Sequence, residues 1–282
     1  MSGDHDALRY AAEHAAALCT IVKIEGSFSR RLGAQLAVAR DGTTAGDMAD
    51  NCLDAELADQ AQAAFADGNP RVLRYGEGSP FIDFRLPCGS GLEILVDPSP
   101  DRAALAGCLA QLDAREPGAL KLALPRDAPP GVLAERRYVP PLRLMVLGTG
   151  AECDALVKLA TAQGVITELR EPDQGLSLGR SPAGLVADPW TAVLLLFHDH
   201  EWEHALLEWA LGTSAFYIGA QGGAPARETR IERLREAGHP EAEIARIRSP
   251  VGLIPQARDA GVLALSVLAE VVGAYEALHP HQ

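Results

Sequence analysis

Residues 142–147 read Leu-Arg-Leu-Met-Val-Leu and stop at Gly148-Thr149-Gly150, where a helical pattern opens at Ala151. A strand that apolar, with no polar alternation, must be covered on both faces, and that is the habit of parallel sheets wrapped by helices. The alternation continues. The pattern predicts a helix over 151–163, strands over 165–169 and 192–197, a helix over 201–211 and a strand over 215–218. Three helices close the chain, the last over 261–278. Strands separated by helices of this length predict a Rossmann-like, doubly wound parallel sheet over 142–282.

The first part of the chain reads differently. A helix over 8–18 precedes short strands over 20–24 and 35–38, the second closed by an Asp41-Gly42 turn. A helix over 53–65, strands over 72–75, 81–85 and 92–96, and a helix over 102–112 complete an α+β domain spanning 1–115. Between the two lie Pro125, Pro129, Pro130, Pro140 and Pro141, with Arg136 and Arg137 among them, so 116–141 reads as a Pro-rich extended linker. The overall class is α/β.

Composition narrows the function. The formal net charge is −13, which repels phosphate backbones and argues against a nucleic-acid partner. No apolar run approaches the ~20 residues of a membrane span. The start, MSGDHDALRY, has neither the basic region nor the apolar core of a secretion signal, so the cytoplasm is the expected compartment. The five cysteines form no CxxC pair, which argues against a zinc ribbon or a redox dithiol.

Three segments and two cysteines carry candidate chemistry. Gly148 and Gly150, between a strand and a helix, suit the tight turn that brings a pyrophosphate to a helix N-terminus, with Glu168 or Glu171 near a ribose-binding position. Cys153 stands where the third glycine belongs and Glu152 adds a negative charge, so NAD(P) is not the expected ligand. His198-Asp199-His200 sits at the carboxyl end of the 192–197 strand, where open α/β sheets bind ligands. With His204 it could also offer imidazoles to a metal, but a polar site without metal is the preferred reading, and a hydrogen-bonded helix entry with surface histidines is the alternative. Ser27, Arg30, Arg31 and Gly33 lie in Gly26-Ser27-Phe28-Ser29-Arg30-Arg31-Leu32-Gly33-Ala34, where hydroxyl, guanidinium and free amides suit a phosphate. Cys52, just before a helix, and Cys88, beside Gly89, are candidate thiolates, and spacing does not choose between them.

Taken together, these segments resemble the XdhC/CoxI family, accessory proteins of xanthine dehydrogenase and related molybdenum hydroxylases. The resemblance covers nearly the whole chain. It rests on Gly26–Ala34 (with Ser29 where proline is usual), on Cys52 in Asp50-Asn51-Cys52-Leu53-Asp54, and on Cys88-Gly89-Ser90. It rests further on Pro140-Pro141, Gly148-Thr149-Gly150, His198-Asp199-His200-Glu201, Phe216-Tyr217-Ile218-Gly219-Ala220, Pro250-Val251-Gly252-Leu253, and the helix around Glu270. The resemblance implies an N-terminal XdhC/CoxI domain and a C-terminal Rossmann domain. It implies a non-catalytic chaperone that binds the molybdenum cofactor (molybdopterin), assists its sulfuration with a cysteine desulfurase, and inserts it into apo xanthine dehydrogenase or a related hydroxylase. A homodimer is the expected assembly. On that reading Arg30, Arg31 and Ser27 suit the cofactor's phosphate, and Cys52 or Cys88 could guard molybdenum or sulfur. Cys52 is the favoured functional thiol. The rival readings are an NAD(P)-dependent oxidoreductase and a cofactor-free scaffold for the hydroxylase.

Overall fold

The computed structural model describes the backbone of residues 3–48, 51–79, 91–172 and 174–281, and the side chains of all of these except 3, 4, 51 and 52. The chain divides into two compact units, Ser2–Pro140 with the last residues His279–Gln282, and Pro141–Leu278.

The first unit runs α1 (Gly3–Glu13), β1 (Ala16–Glu25), β2 (Gln35–Ala39), β3 (Thr44–Gly46), α2 (Asn51–Asp67), β4 (Arg71–Gly76), β5 (Gly91–Asp97), α3 (Arg102–Asp113), β6 (Gly118–Lys121) and β7 (Glu135–Tyr138). Five strands form an antiparallel sheet in the order β3-β2-β1-β5-β4. Side chains alternate across β1 with a period of two. Ala17, Cys19 and Ile21 face Leu57, Ala61 and Ala64 of α2, while Ala16 and Leu18 face α1 and α3 through Leu8, Leu105 and Leu109.

That placement corrects the expected helix over 8–18, which ends at Glu13. Ala16 to Leu18 join the central strand instead. A strand buried on both faces gains more from packing than alanine loses by leaving a helix. The expected strand over 81–85 lies outside the described residues. Residues 116–141, read as an extended linker, carry a two-stranded antiparallel ribbon, Gly118 opposite Tyr138 and Lys121 opposite Glu135. Leu120 and Tyr138 from that ribbon enter the core with α1 and α3.

The second unit runs β8 (Arg143–Gly148), α4 (Ala151–Ala162), β9 (Ile166–Arg170), β10 (Thr191–Leu196), a single 3-10 turn (His200–Trp202), α5 (Glu203–Leu211), β11 (Tyr217–Ala220), α6 (Ala224–Glu236), α7 (Glu241–Ile244), β12 (Ile247–Arg248) and α8 (Ala260–Glu276). The sheet is parallel throughout, in the order β12-β11-β10-β8-β9. Met145, Leu147, Val193 and Leu195 pack against Leu206, Leu207 and Leu234 of α5 and α6. Leu144, Val146 and Leu194 are buried on the other face, which α4 and α8 cover. This is the doubly wound, Rossmann-like sheet expected from the apolar runs. Its chain moves outward from β8 to β9, then crosses back to β10 on the opposite side of β8. The switch point, where such sheets bind ligands, therefore lies between the carboxyl ends of β8 and β10.

Candidate functional site

The Gly148–Gly150 turn and the His198–His200 segment meet at that switch point. Gly148 ends β8, and a Cβ there would lie 2.3 Å from the Leu196 carbonyl oxygen and 2.9 Å from Cys153 Sγ. Only glycine lets the turn sit this close to β10. Cys153 fills the position where the fingerprint's third glycine would stand, and it does so as a packing residue. Burial first, then the neighbouring carboxylates Asp154, Glu152 and Glu171, push its thiol up to about 12.

Gly150, at φ +100°, precedes α4 with no side chain capping the helix. The turn is acidic. His198 Nε2 stands 3.5 Å from Glu152 Oε2, and Glu171 accepts from Thr149 Oγ1 at 3.3 Å and from Gln174 Nε2 at 3.2 Å. Two carboxylates thus surround the place a pyrophosphate would take, where the helix dipole alone would welcome it. Glu168 is turned to Arg170, 2.6 Å away.

Beside the turn, a cavity of about 640 Å³ opens between the ends of β10 and β11, walled by His198, Asp199, His200, His204, Thr229 and Arg233. Asp199 caps the 3-10 turn by accepting from the Glu201 amide. At the inner end of the cavity lies a pair that sequence reasoning missed. Glu203, 2% exposed, accepts from Arg230 Nη2 at 2.7 Å and Nε at 3.1 Å. Arg230 also donates to Ser249 Oγ (2.6 Å) and to the Gln221 carbonyl (2.8 Å).

Glu203 stands in the first turn of α5, where local sequence suggests only an acid complementing the helix dipole, and its partner lies 27 residues away. His200 Nδ1 stands 3.1 Å from Glu203 Oε1, and Gly222 gives the ring its room, since a Cβ there would lie 3.1 Å from His200 Cε1. His204 faces Glu208 at 3.9 Å. The three histidines therefore address three different carboxylates. Among the described residues no group of three His, Cys, Asp or Glu is arranged to hold a metal ion.

In the first unit, the 27–34 segment leaves β1 and returns to β2, with Ser27 exposed and Arg30 and Arg31 half-buried. The segment has no acid of its own, but Asp47, just past β3, supplies one. Arg30 Nη2 lies 2.8 Å from both Asp47 oxygens, and Nε lies 3.1 Å from Oδ1. Gly33, at φ +83°, has its carbonyl held by Arg136 Nε at 2.7 Å, and a Cβ would lie 2.6 Å from Arg136 Cδ.

Arg136 is 1% exposed, stacks its guanidinium 4.6 Å from the Tyr138 ring centroid and contacts the Arg137 carbonyl. It is a buried pillar under the arginine segment, hidden in the sequence among the prolines. Cys52 falls in the first turn of α2, with its side chain outside the description, and Cys88 lies outside the described residues. Cys19 and Cys108 are buried with raised thiols, Cys19 up to about 12, chiefly by desolvation.

Comparison with known proteins extends these features to the whole chain. Residues 144–271 match the XdhC Rossmann domain, and residues 10–76 match the XdhC and CoxI family. The chain is 36% identical over 288 residues to the molybdenum cofactor insertion chaperone PaoD of Escherichia coli (strain K12), covering 96% of this chain and 89% of that protein. A crystal structure described as a xanthine dehydrogenase from Bacillus halodurans shares the fold, with a TM-score of 0.73 and 22% identity over 97% of this chain and 95% of that one. No helix among the described residues is long and apolar enough to cross a membrane. With both units matched and a relative this similar along nearly its full length, the chain belongs to the XdhC and CoxI family.

Proposed function

We propose that this protein is a molybdenum cofactor insertion chaperone. It binds the pterin cofactor, assists its sulfuration and passes it to an apo hydroxylase of the xanthine dehydrogenase kind, performing no turnover of its own. The observation that carries the reading is the 36% identity, over 96% of the chain, to a protein named for that task. The switch-point chemistry supports it against an NAD(P)-dependent oxidoreductase, because Glu152 and Glu171 crowd the pyrophosphate position with negative charge.

The residues at hand suit the cofactor as cargo. Arg30, Arg31 and Ser27 offer donors to its phosphate, and Arg30 exchanges Asp47 for that phosphate on loading. His198, Asp199 and His200 border a crevice large enough for a bicyclic ligand, and the Gly148 to Gly150 turn is proposed to complete the binding surface from the neighbouring strand end. Soft-ligand chemistry falls to Cys52 or Cys88, since burial holds the other three thiols neutral. A cysteine desulfurase as sulfur donor and a homodimeric chaperone complete the proposal.

The test is co-expression with an apo molybdenum hydroxylase, scoring pterin and molybdenum bound to the purified chain and activity of the recovered hydroxylase. Bound pterin and chaperone-dependent activation are expected. A chain that carries no pterin, together with a hydroxylase equally active without it, would overturn the assignment, and micromolar NADH binding would promote the oxidoreductase.

A further inference from the structure

We infer that the second unit holds another ligand site, for a small phosphate- or diphosphate-bearing molecule, at the β12 edge of the sheet. It goes beyond the chaperone reading and does not depend on it. A cavity of about 520 Å³ lies there, in the range of small-molecule pockets. One wall is α6, whose Arg227, Ile231 and Arg235 recur at i, i+4 and i+8 and so share a face. The opposite wall is β12 with the residue after it, Ile247, Arg248 and Ser249, paired into the sheet through Ile218 opposite Ile247. The floor is apolar: Ile244 belongs to the core, and Ile231 and Ile247 pack against it.

The charges around this cavity do not cancel. Arg235 is chelated by Glu241, at 2.5 and 2.9 Å, and Arg230 is spent on Glu203. Glu270, the remaining carboxylate on the lining, accepts the Gly252 amide at 2.6 Å. Arg227 and Arg248 make no side-chain hydrogen bond or ion pair among the described residues. Two guanidinium forks without a hydrogen-bonded side-chain partner therefore open on one cavity, whose four arginines outnumber Glu241, Glu270 and the buried Glu203, in a chain of net charge −13. Ser249 adds a donor: its oxygen accepts from Arg230 Nη1 at 2.6 Å, which leaves its own O–H to point elsewhere.

Two forks and a hydroxyl match a multiply charged, three-oxygen group better than a carboxylate, which has one charge and two oxygens. The apolar floor suits an organic body behind that head. The donors gather here because α6 and β12 are brought edge to edge, although Arg227 and Arg248 are twenty-one residues apart in sequence.

Titration calorimetry of the full chain with inorganic pyrophosphate at low salt tests this. Saturable binding is expected in the wild type. Arg227→Ala and Arg248→Ala should each weaken it about tenfold or more, a loss of ~1.4 kcal/mol, and Ser249→Ala several-fold. Arg248→Lys should recover only part, because an ammonium lacks the fork. Both arginines are exposed, so thermal melts of the arginine variants should match the wild type. The His198→Ala/Asp199→Ala protein, altered in the switch-point crevice, should bind pyrophosphate like the wild type, which keeps this site's fate separate from that of the cofactor reading. Absence of saturable binding by the wild type, unchanged affinity in Arg227→Ala/Arg248→Ala, or loss of binding in the crevice variant would each overturn the site.

Discussion

Replacing Arg230 with methionine is the most informative single change in the second unit. The guanidinium holds Glu203, Ser249 and the Gln221 carbonyl at once, and its side chain is 5% exposed against 3% for Glu203. Methionine fills much of the volume but leaves a buried carboxylate without its cation. Breaking a buried pair from one side costs ~3–5 kcal/mol. At ~3 °C per kcal/mol for a domain near this size, the melting point of the second unit should fall by ~10–15 °C.

All three tryptophans, Trp190, Trp202 and Trp209, lie in that unit, so tryptophan fluorescence follows its unfolding and not that of the first. Glu203→Met/Arg230→Met, which removes both charges, should recover most of the stability, because hydrophobic replacements of buried pairs are often neutral. A single variant that loses under ~1 kcal/mol, or a double variant as unstable as the single, would refute this account of the pair.

Three further outcomes can be checked. Gly33→Ala should destabilise the first unit by more than ~2 kcal/mol, from the left-handed backbone plus the contact with Arg136, read by far-UV circular dichroism with the tryptophan transition unmoved; a loss under ~1 kcal/mol would remove Arg136 as the support of that segment. In the native chain at about pH 8, no more than two of the five thiols should react with a disulfide reagent, since Cys19 and Cys153 are pushed up to about 12 and Cys108 is buried; rapid reaction of three or more would contradict the burial. Asp47→Asn should free Arg30 and tighten pterin cofactor binding by up to ~1 kcal/mol, the scale of a half-exposed ion pair, and weaker binding in that variant would show that Asp47 helps the cofactor rather than competing with it.

What the sequence determined alone was whatever is written in local period and punctuation. The apolar runs at 144–147 and 192–197 required a two-sided sheet. The Gly148–Gly150 turn located the β8–α4 junction, and the alternation of strand and helix set the parallel winding. Where the local signal conflicted with tertiary packing, packing won. Ala16 to Leu18 have helix-forming composition, yet they sit in a strand because both faces of β1 are covered.

The tertiary structure alone decided which charges meet. Arg30 finds Asp47 across 17 positions, Glu203 finds Arg230 across 27, and Arg136 reaches Gly33 across 103. Residue spacing reports the geometry of one helix or one strand, whereas an ion pair between elements depends on how far the chain travels before it returns. The sheet order that carries β10 back beside β8, and β12 beyond β11, is therefore what gathers these side chains into sites.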